Sequence, residues 1–346
     1  MTKRKRKRTK PKTRILVLVH TDFVPPADFQ VEDEKLRREM QTEIDVGKAL
    51  TSLGYETAYI GLDEEFLPLR KKVKSFRPHL VFNLLEEFRG KATYDFNVVA
   101  YLELLRVPYT GCNARGLILG RDKALSKKIV TYHDVKAPAF EVFRRGRKIK
   151  LRRPFNGPMI VKSLIEDSSM GMSEASLVHS EEKLIERIAF MHDSVHTHAI
   201  AEEYVEGREI YVTVLGHNRL KTLPPWELVL DQLRPGAPRI ATHRVKWDKE
   251  YQQKYNVVIE EADDLPPSML KKLDQVSRRV YKALNMSGYA RMDYRLRADG
   301  QLFFLEANPN PDISRESEAA GAAESAGMSY EALINRIVHL GRNSRS

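Results

Sequence analysis

Two acids, an arginine and an amide are brought together by the spacing of one segment. Gly288-Tyr-Ala-Arg-Met-Asp-Tyr-Arg-Leu-Arg-Ala-Asp-Gly-Gln-Leu-Phe-Phe-Leu-Glu-Ala-Asn308 consists of two alternating runs around Asp299-Gly300, and an Asp-Gly pair in that setting is the strongest short signal for a β-hairpin. A two-residue loop would pair Ala298 with Gln301. Asp293 then faces Glu306, Arg291 faces Asn308, and all four side chains share one face. Met292, Tyr294, Leu296, Phe303, Leu305 and Ala307 form the other, apolar face and are expected in the core. Directly opposed side chains lie about 4.5–5.5 Å apart at Cβ, so two carboxylates placed there repel unless a cation sits between them. Asp293, Glu306 and Asn308 offer hard oxygen donors, which suits a magnesium ion that keeps water and takes the rest of its shell from phosphates. The competing reading is a solvated edge hairpin on which Arg291 and Arg295 neutralise the acids. Glu306-Ala-Asn-Pro-Asn-Pro311 is an unusual ending for such a strand.

The elements that must carry this hairpin fall into regions of different rhythm. Apolar, β-branched runs at Arg14 to His20, Tyr55 to Ile60 and His79 to Leu84 read as buried strands. Charged amphipathic stretches between them, Glu39 to Leu53 and Glu64 to Phe76, suit helices, and the alternation predicts a parallel sheet with helices on its faces. A helix at Tyr94 to Leu105 leads to an extended segment, Val107-Pro-Tyr-Thr-Gly111. From Arg121 the pattern becomes α+β: a helix capped by Asp122 and running to about His133, strands at Ala139 to Phe143, Met159 to Val161, Ala199 to Glu203 and Glu209 to Leu215, and a helix at Glu181 to Met191. A third region holds a strand near Leu220 to Leu230, a helix from Pro266 to Leu284, the hairpin and a last helix from Tyr330 to Leu340.

Composition narrows the class of protein. A chain of 346 residues with 42% hydrophobic and 30% charged residues can bury more than one core and is expected to divide into two or three domains. Nine charges of the net +11 come from Lys3, Arg4, Lys5, Arg6, Lys7, Arg8, Lys10, Lys12 and Arg14. The body is left near +2, so a general surface for polyanions is not indicated. Residues 1–13 form a basic tail without an apolar residue, expected to be disordered and unlike a secretory signal. No apolar run approaches the roughly 20 residues that span a bilayer, and a cytoplasmic location is expected. Cys112 is the one cysteine; it excludes an internal disulfide and reads as a small buried residue rather than a nucleophile.

Seven motifs in order resemble the ATP-grasp superfamily and, within it, the D-alanine–D-alanine ligases. They are Pro108-Tyr-Thr-Gly111, Asp122-Lys123, Ile160-Val-Lys162, Ser168-Ser-Met-Gly-Met-Ser173, the segment from Glu202 to Glu209, Arg291-Met-Asp293 and Glu306-Ala-Asn308. Ala326-Gly-Met-Ser-Tyr330 before the last helix adds to the likeness. The resemblance implies an ATP-grasp fold: an N-terminal parallel-sheet domain over 14–120, a central α+β lobe over 121–215 and a C-terminal α+β lobe over 216–346 with the metal site. ATP would lie between the two lobes, with two magnesium ions, or manganese in their place.

Each motif acquires a task under this likeness. Lys123 at a helix start and Lys162 at a strand end can aim long cationic stems at triphosphate oxygens, although either alone would read as a solvated lysine. Ser168, Ser169, Gly171 and Ser173 lie on a small-residue loop able to turn amides and hydroxyls onto phosphates. Glu202, Glu203, Tyr204 and Val205 match the strand that meets adenine, and Glu209 the residue that binds ribose; the plain alternative is a set of solubilising acids. Lys246 and Trp247 correspond to a Lys-aromatic pair on a loop over the phosphates, where the aromatic is usually Tyr. Arg291 would stabilise charge developing on the substrate carboxylate and the transferred phosphoryl group, and Ser317 would meet the acceptor carboxylate.

The likeness fails on the amino-acid side. The first strand leads into His20-Thr-Asp-Phe-Val-Pro-Pro26 instead of a Gly-rich loop with a Glu, and Asn83-Leu-Leu-Glu-Glu-Phe-Arg-Gly90 replaces a His-Gly-rich segment. Asn310-Pro-Asp312 stands where the family has Ser-Pro-Gly. The implied activity is an ATP-dependent carboxylate-amine ligase acting through an acyl phosphate, on small-molecule carboxylate and amine substrates such as amino acids or a peptide, with D-alanine not required. No membrane contact is expected, and a homodimer is compatible with the family. Two other classes are weighed: a non-catalytic ATP-binding module, against which the retained Arg291, Asp293, Glu306 and Asn308 argue, and a nucleic-acid or ribosome-associated protein steered by the tail, for which no interleaved aromatic pattern exists.

Overall fold

The computed structural model describes residues 12–165, 171–230, 232–233 and 237–343, and its strands form three sheets. The first is parallel, in the order β2-β1-β3, from β1 (Arg14–His20), β2 (Glu56–Leu62) and β3 (Leu80–Asn83). Ile15 to Val19 are fully buried because helices cover both faces, which is why this strand reads as a continuous apolar run rather than an alternating one. Helix Gln41–Ser52 contributes Val46 and Leu50 to one side. The last helix, Tyr330–Asn343, closes on the same core with Leu333, Ile334, Ile337 and Val338, an i, i+1, i+4, i+5 stripe on one helical face. The end of the chain is therefore packed against its beginning.

The second sheet is antiparallel, in the order β4-β7-β5-β6, from β4 (Phe140–Phe143), β5 (Met159–Ser163), β6 (Leu177–Val178) and β7 (Ala199–Glu203). Helix Glu181–Asp193 packs Leu184, Ile188 and Met191 on it. In the β4–β5 connection Ile149, Leu151 and Phe155 turn toward that core, leaving Arg144, Arg145, Arg147, Lys148, Lys150, Arg152 and Arg153 exposed. The near-neutral balance of the body thus averages an uneven surface that does include a local basic face.

The third sheet runs β11-β10-β8-β12-β13, with β9 on β8. Its strands are β8 (Arg208–Gly216), β9 (Lys221–Thr222), β10 (Trp226–Val229), β11 (Val258–Glu261), β12 (Gly288–Leu296) and β13 (Leu302–Pro309). The single strand expected near Leu220 to Leu230 is split into β9 and β10 at Pro224-Pro225, since proline cannot donate to a ladder. Helix Pro267–Ala283 covers this sheet with Leu273, Val280 and Tyr281. Helices Ala114–Arg121 and Lys123–Tyr132 pack beside β13; Asp122 ends the first and caps the second, accepting from the Leu125 amide at 2.8 Å.

The hairpin corrects two expectations. Its loop has three residues, 298–300: the Arg297 amide donates to the Gln301 carbonyl, the Gly300 amide to the Arg297 carbonyl, both at 2.9 Å, and Gly300 adopts φ 77°, the left-handed conformation such loops require. Leu296 accordingly pairs with Leu302 and Tyr294 with Phe304. A β-bulge then takes up one residue, Leu305, and the register beyond it sets Asp293 opposite Glu306 and Arg291 opposite Asn308. Because of that bulge Leu302 and Phe304, not Phe303 and Leu305, are buried with Met292, Tyr294 and Ala307. The expected facing of the two acids is met, through a loop one residue longer and a ladder with one residue to spare. Nor is this an exposed edge: β12 lies between β8 and β13, and Asp293 is 2% exposed.

Candidate active site

A cleft of about 750 Å³, counting its mouth, opens between the second and third sheets, within the range of small-molecule sites. β5 sends Lys162 into it, β7 ends in it with Glu202 and Glu203 followed by Tyr204 and Val205, β8 starts with Glu209, and the hairpin supplies Asp293 and Glu306. Lys123 enters from the start of its helix and Lys246 from the short helix His243–Trp247. These residues, separated by up to 183 positions of chain, line one space.

Ion pairs order the floor of the cleft. Glu202 is fully buried between Lys127 at 3.3 Å and Lys162 at 3.2 Å. Lys123 lies 3.6 Å from Glu306. The Arg291 guanidinium holds Asp293 by two bonds of 2.8 and 2.9 Å, reaches Glu318 at 3.3 Å and stacks over Tyr211. Asn308 donates its amide to Asp293 at 2.9 Å. Glu209 accepts from Arg295 at 2.7 Å and from the Tyr211 hydroxyl at 3.0 Å.

The resulting field favours a polyanion. Burial alone would raise the Glu306 carboxyl, yet Lys123, Lys162, Lys246 and Lys127 together hold it well below the carboxylate range. Burial likewise works against the charge of Lys162, which Glu202, Glu306 and Glu209 nevertheless hold above its ordinary value. Burial pushes Lys127 down to about 8, against the pull of Glu202. Asp293 is raised by burial despite Arg291, with Glu306 adding to the rise. Four lysines acting on one carboxylate leave a cationic surplus that a triphosphate would answer.

The donor set also fits a divalent ion. Asp293, Glu306 and Asn308 supply two carboxylates and one amide oxygen from adjacent strands, too few for a closed protein cage and suited to an ion that keeps waters and binds phosphate. The Asn308 amide nitrogen is spent on Asp293, which leaves its oxygen as the free end. Arg291 shares Asp293 with any such ion and lies within reach of the same oxygens.

Other expected residues are placed differently. Ser168 and Ser169 lie outside the described residues. Gly171, at φ 70°, accepts at its carbonyl from Arg187, and Ser173 caps the 3-10 helix Glu174–Ser176 in a capping box, so its hydroxyl is engaged away from the cleft. Met172 lines the cleft, and its carbonyl accepts from the His243 amide at 3.2 Å. That bond joins the small-residue loop to the helix that carries Lys246 and ends at Trp247. Ser317 caps helix Glu318–Ser325, donating to the Ser314 carbonyl at 2.7 Å and accepting from Ala320. Cys112 is fully buried with its thiol pushed up to about 12, which removes it as a nucleophile. Pro108-Tyr-Thr-Gly111 serves the scaffold: Gly111, at φ 94°, leaves room for the Asn310 carboxamide, which accepts from the Cys112 amide at 2.7 Å.

Lys127, Glu318 and Leu305 escaped the sequence reading. Lys127 stands four residues after Lys123 and so on the same helical face, beside Ala124 and Val130, which are buried. A lysine on an apolar face beside a second lysine was the available signal. Leu305 lines the cleft only because the bulge turns it there, and no sequence pattern announces that.

Past the metal hairpin, the chain crosses to the first sheet. Thr42 donates to Asp312 at 2.8 Å and the Arg315 amide to Asp45 at 3.0 Å. Next to Thr42, Glu43 is 6% exposed, its Oε2 has no hydrogen-bond partner, and burial, with the charges of Glu86 and Asp312 adding, raises it from 4.5 to about 7. A carboxyl raised on folding favours the folded state fully below about pH 4.5, and that contribution is lost as pH climbs through about 7; the change amounts to roughly 3 kcal/mol. Glu43→Gln is therefore expected to flatten this slope in urea denaturation between pH 4.5 and 8 and to be more stable than the parent at pH 8. An unchanged slope would show that another group is responsible.

Comparison with known proteins was made on both sequence and structure. The model for the D-ala D-ala ligase C-terminus matches residues 128–339. An uncharacterized protein of Sinorhizobium fredii is 32% identical over 84% of this chain and 84% of its own. A D-alanine–D-alanine ligase of Aquifex aeolicus is 31% identical over 85% of this chain and 92% of its own. Among solved structures, the D-alanine–D-alanine ligase of Bacillus anthracis complexed with ATP superposes with a TM-score of 0.72 at 24% identity, covering 95% of this chain and 97% of that one. The VanG D-Ala:D-Ser ligase of Enterococcus faecalis gives 0.67 at 18% identity over 96% and 100%. These structures share the ATP-grasp fold. No described helix is long and apolar enough to cross a membrane.

Proposed function

Because this chain belongs to the D-alanine–D-alanine ligase family of ATP-dependent ligases, we propose that its cleft phosphorylates a small carboxylate with ATP and passes the acyl group to an amine. The observation that carries this reading is the convergence of Lys123, Lys162 and Lys246 with Asp293 and Glu306 in one space. Lys123, Lys162 and Lys246 hold the triphosphate, the backbone of Glu203 to Val205 meets adenine, and Glu209, steadied by Arg295, meets ribose. Glu202 acts from below the base, fixed by its two lysines. Asp293, Glu306 and Asn308 hold two magnesium ions, for which manganese can substitute. The ions, when bound, neutralise phosphate charge and orient the γ-phosphoryl group.

The chemistry balances without an enzyme nucleophile. A carboxylate oxygen of the substrate attacks the γ-phosphorus and the bond to the β-phosphate oxygen breaks, giving ADP and an acyl phosphate. The amine attacks the acyl carbon, the carbon–oxygen bond to phosphate breaks, and the nitrogen loses a proton. Arg291, beside Asp293 and over Tyr211, lies where it stabilises the charge on the transferred group. Ser317 acts by fixing helix Glu318–Ser325, and so Glu318 and Arg291, rather than by touching substrate. The substrates are amino acids or a short peptide, and the altered segments after β1, β3 and β13 favour ones other than D-alanine.

A coupled assay of ADP release, with magnesium-ATP and a panel of amino acids of both hands, tests this. Release that depends on an added amino acid, with product mass equal to the condensed pair, is the expected result. ATP binding without any substrate-dependent turnover would identify a nucleotide-binding module instead.

A further inference from the structure

Three segments that depart from the family pattern, or lie beside such a departure, meet near the reacting end of the hairpin. Glu43 stands in the first turn of helix Gln41–Ser52. Glu86 lies on the connection after β3, in the segment that replaces a His-Gly-rich one, and Asp312 lies on the connection after β13. Both act electrostatically on Glu43, and the Thr42–Asp312 bond of 2.8 Å ties its helix to the third segment. That third segment starts at Asn308, which touches Asp293, and leads to Glu318, which touches Arg291. Asp312 is thus held in a loop whose two ends both reach the centre of the proposed phosphoryl transfer.

Like charges assembled this way are costly unless something answers them. The Asp312 carboxylate is satisfied by Thr42 and Ser314, all neutral donors, so its negative charge remains. Glu43 is more informative, because it is more than nine-tenths buried and its Oε2 has no partner. Folding has sequestered an acceptor with nothing to accept from, and such groups cost roughly 1–3 kcal/mol or more. Retention of an unsatisfied acid beside two others marks a place for a donor that arrives from outside.

We propose that Glu43, Glu86 and Asp312 form the recognition site for a dibasic amino substrate, one that carries a second charged nitrogen besides its α-amino group. This rests on the ligase reading and specifies the substrate class of the same site. A neutral amino acid brings one ammonium group to three carboxylates and leaves like charges facing each other. A dibasic one brings two, and its donors match the open acceptor of Glu43. The side-chain amine is compact and multiply donating, as a point cation among carboxylates must be. Specificity would arise from buried polar groups left unpaired by the wrong substrate, a stronger discriminator than pocket size.

The test uses the full chain with magnesium-ATP and isosteric pairs that differ in the charged nitrogen, lysine against norleucine and ornithine against norvaline, in both hands. The expected result is a KM at least 10-fold lower for the dibasic member. In Glu43→Gln and, separately, in Asp312→Asn, KM for the dibasic substrate rises about 10-fold while KM for ATP stays unchanged. Asp312 is exposed, so its variant tests the idea even if Glu43→Gln folds poorly. Equal KM within each pair, or a preference untouched by both substitutions, overturns the proposal and leaves the ligase reading standing. If no compound releases ADP, the ligase reading fails, and thermal stabilisation by lysine with magnesium-ADP decides the site. A shift larger than that from norleucine and lost in Asp312→Asn supports it, and equal shifts overturn it.

Discussion

Asp293→Asn is expected to slow amino-acid-dependent ADP release by about 10²–10³-fold at saturating ATP, and Glu306→Gln by a similar factor. Each change keeps the shape of the side chain and removes one charge from the pair that faces across β12 and β13. Metal assistance of this kind contributes several kcal/mol to the transition state, and every 1.36 kcal/mol is a factor of ten. The two variants should differ in detail. Asp293→Asn frees the Arg291 guanidinium from its two bonds, so the defect should include a higher metal requirement and a lower kcat. Glu306→Gln leaves four lysines without the carboxylate they surround, so apparent affinity for ATP should hold or rise while kcat falls. Magnesium titrations of ADP release, with manganese binding followed by electron paramagnetic resonance, separate the effects. Full activity in both variants would remove the hairpin from the chemistry.

Lys127→Met is expected to destabilise the protein by about 3–5 kcal/mol and to raise KM for ATP at least about 10-fold. Removing one partner of a buried pair leaves the other charge uncompensated, and costs of this order follow. Here the orphan is Glu202, fully buried and left with Lys162 alone. Lys127 has a second duty: its ammonium donates to the Leu305 carbonyl and lies 3.5 Å from that of Phe304. Those carbonyls belong to the bulge that sets Asp293 opposite Glu306. Loss of Lys127 should therefore reach both the nucleotide and the metal sides of the cleft. Chemical denaturation and ATP kinetics measure the two effects, and a double-mutant cycle with Glu202→Leu apportions them. If the Lys127→Met/Glu202→Leu protein regains stability but not KM, the charge pair and the bulge are separable. A single variant with parental stability and KM would show that Lys127 is a passenger.

Several features of this protein are decided by residue order alone. The run Ile15 to Val19 could only be a strand covered on both sides, because no hydrophilic position interrupts it. The alternation from Gly288 to Asn308 around Asp299-Gly300 required a hairpin, and the parity of its alternation put Arg291, Asp293, Glu306 and Asn308 within reach of one another. Asp122 before Lys123 announced a capped helix, and with it the direction of the lysine. Such features are local: they depend on backbone sterics and on periods of two and 3.6 residues, which a short stretch of chain carries in full.

Tertiary structure decided whatever depends on what a segment meets. The loop of three residues and the bulge at Leu305 offset each other, so a pairing inferred from an uninterrupted ladder coincides with the observed one at Asp293 and Glu306 while Phe303 and Leu305 exchange sides with Leu302 and Phe304. A bulge costs one residue of register and is stabilised by Lys127, a residue 178 positions away from Leu305; no local pattern contains that contact. Glu202 is legible as an acid at a strand end, yet its confinement between Lys127 and Lys162 exists only once three elements pack together. Likewise Glu43 looks like an ordinary acid in the first turn of a helix, a position that favours negative charge. Its burial against the charges of Glu86 and Asp312 comes from the meeting of three distant loops and helices, and burial is a property of the packed chain, since it depends on which surfaces exclude water.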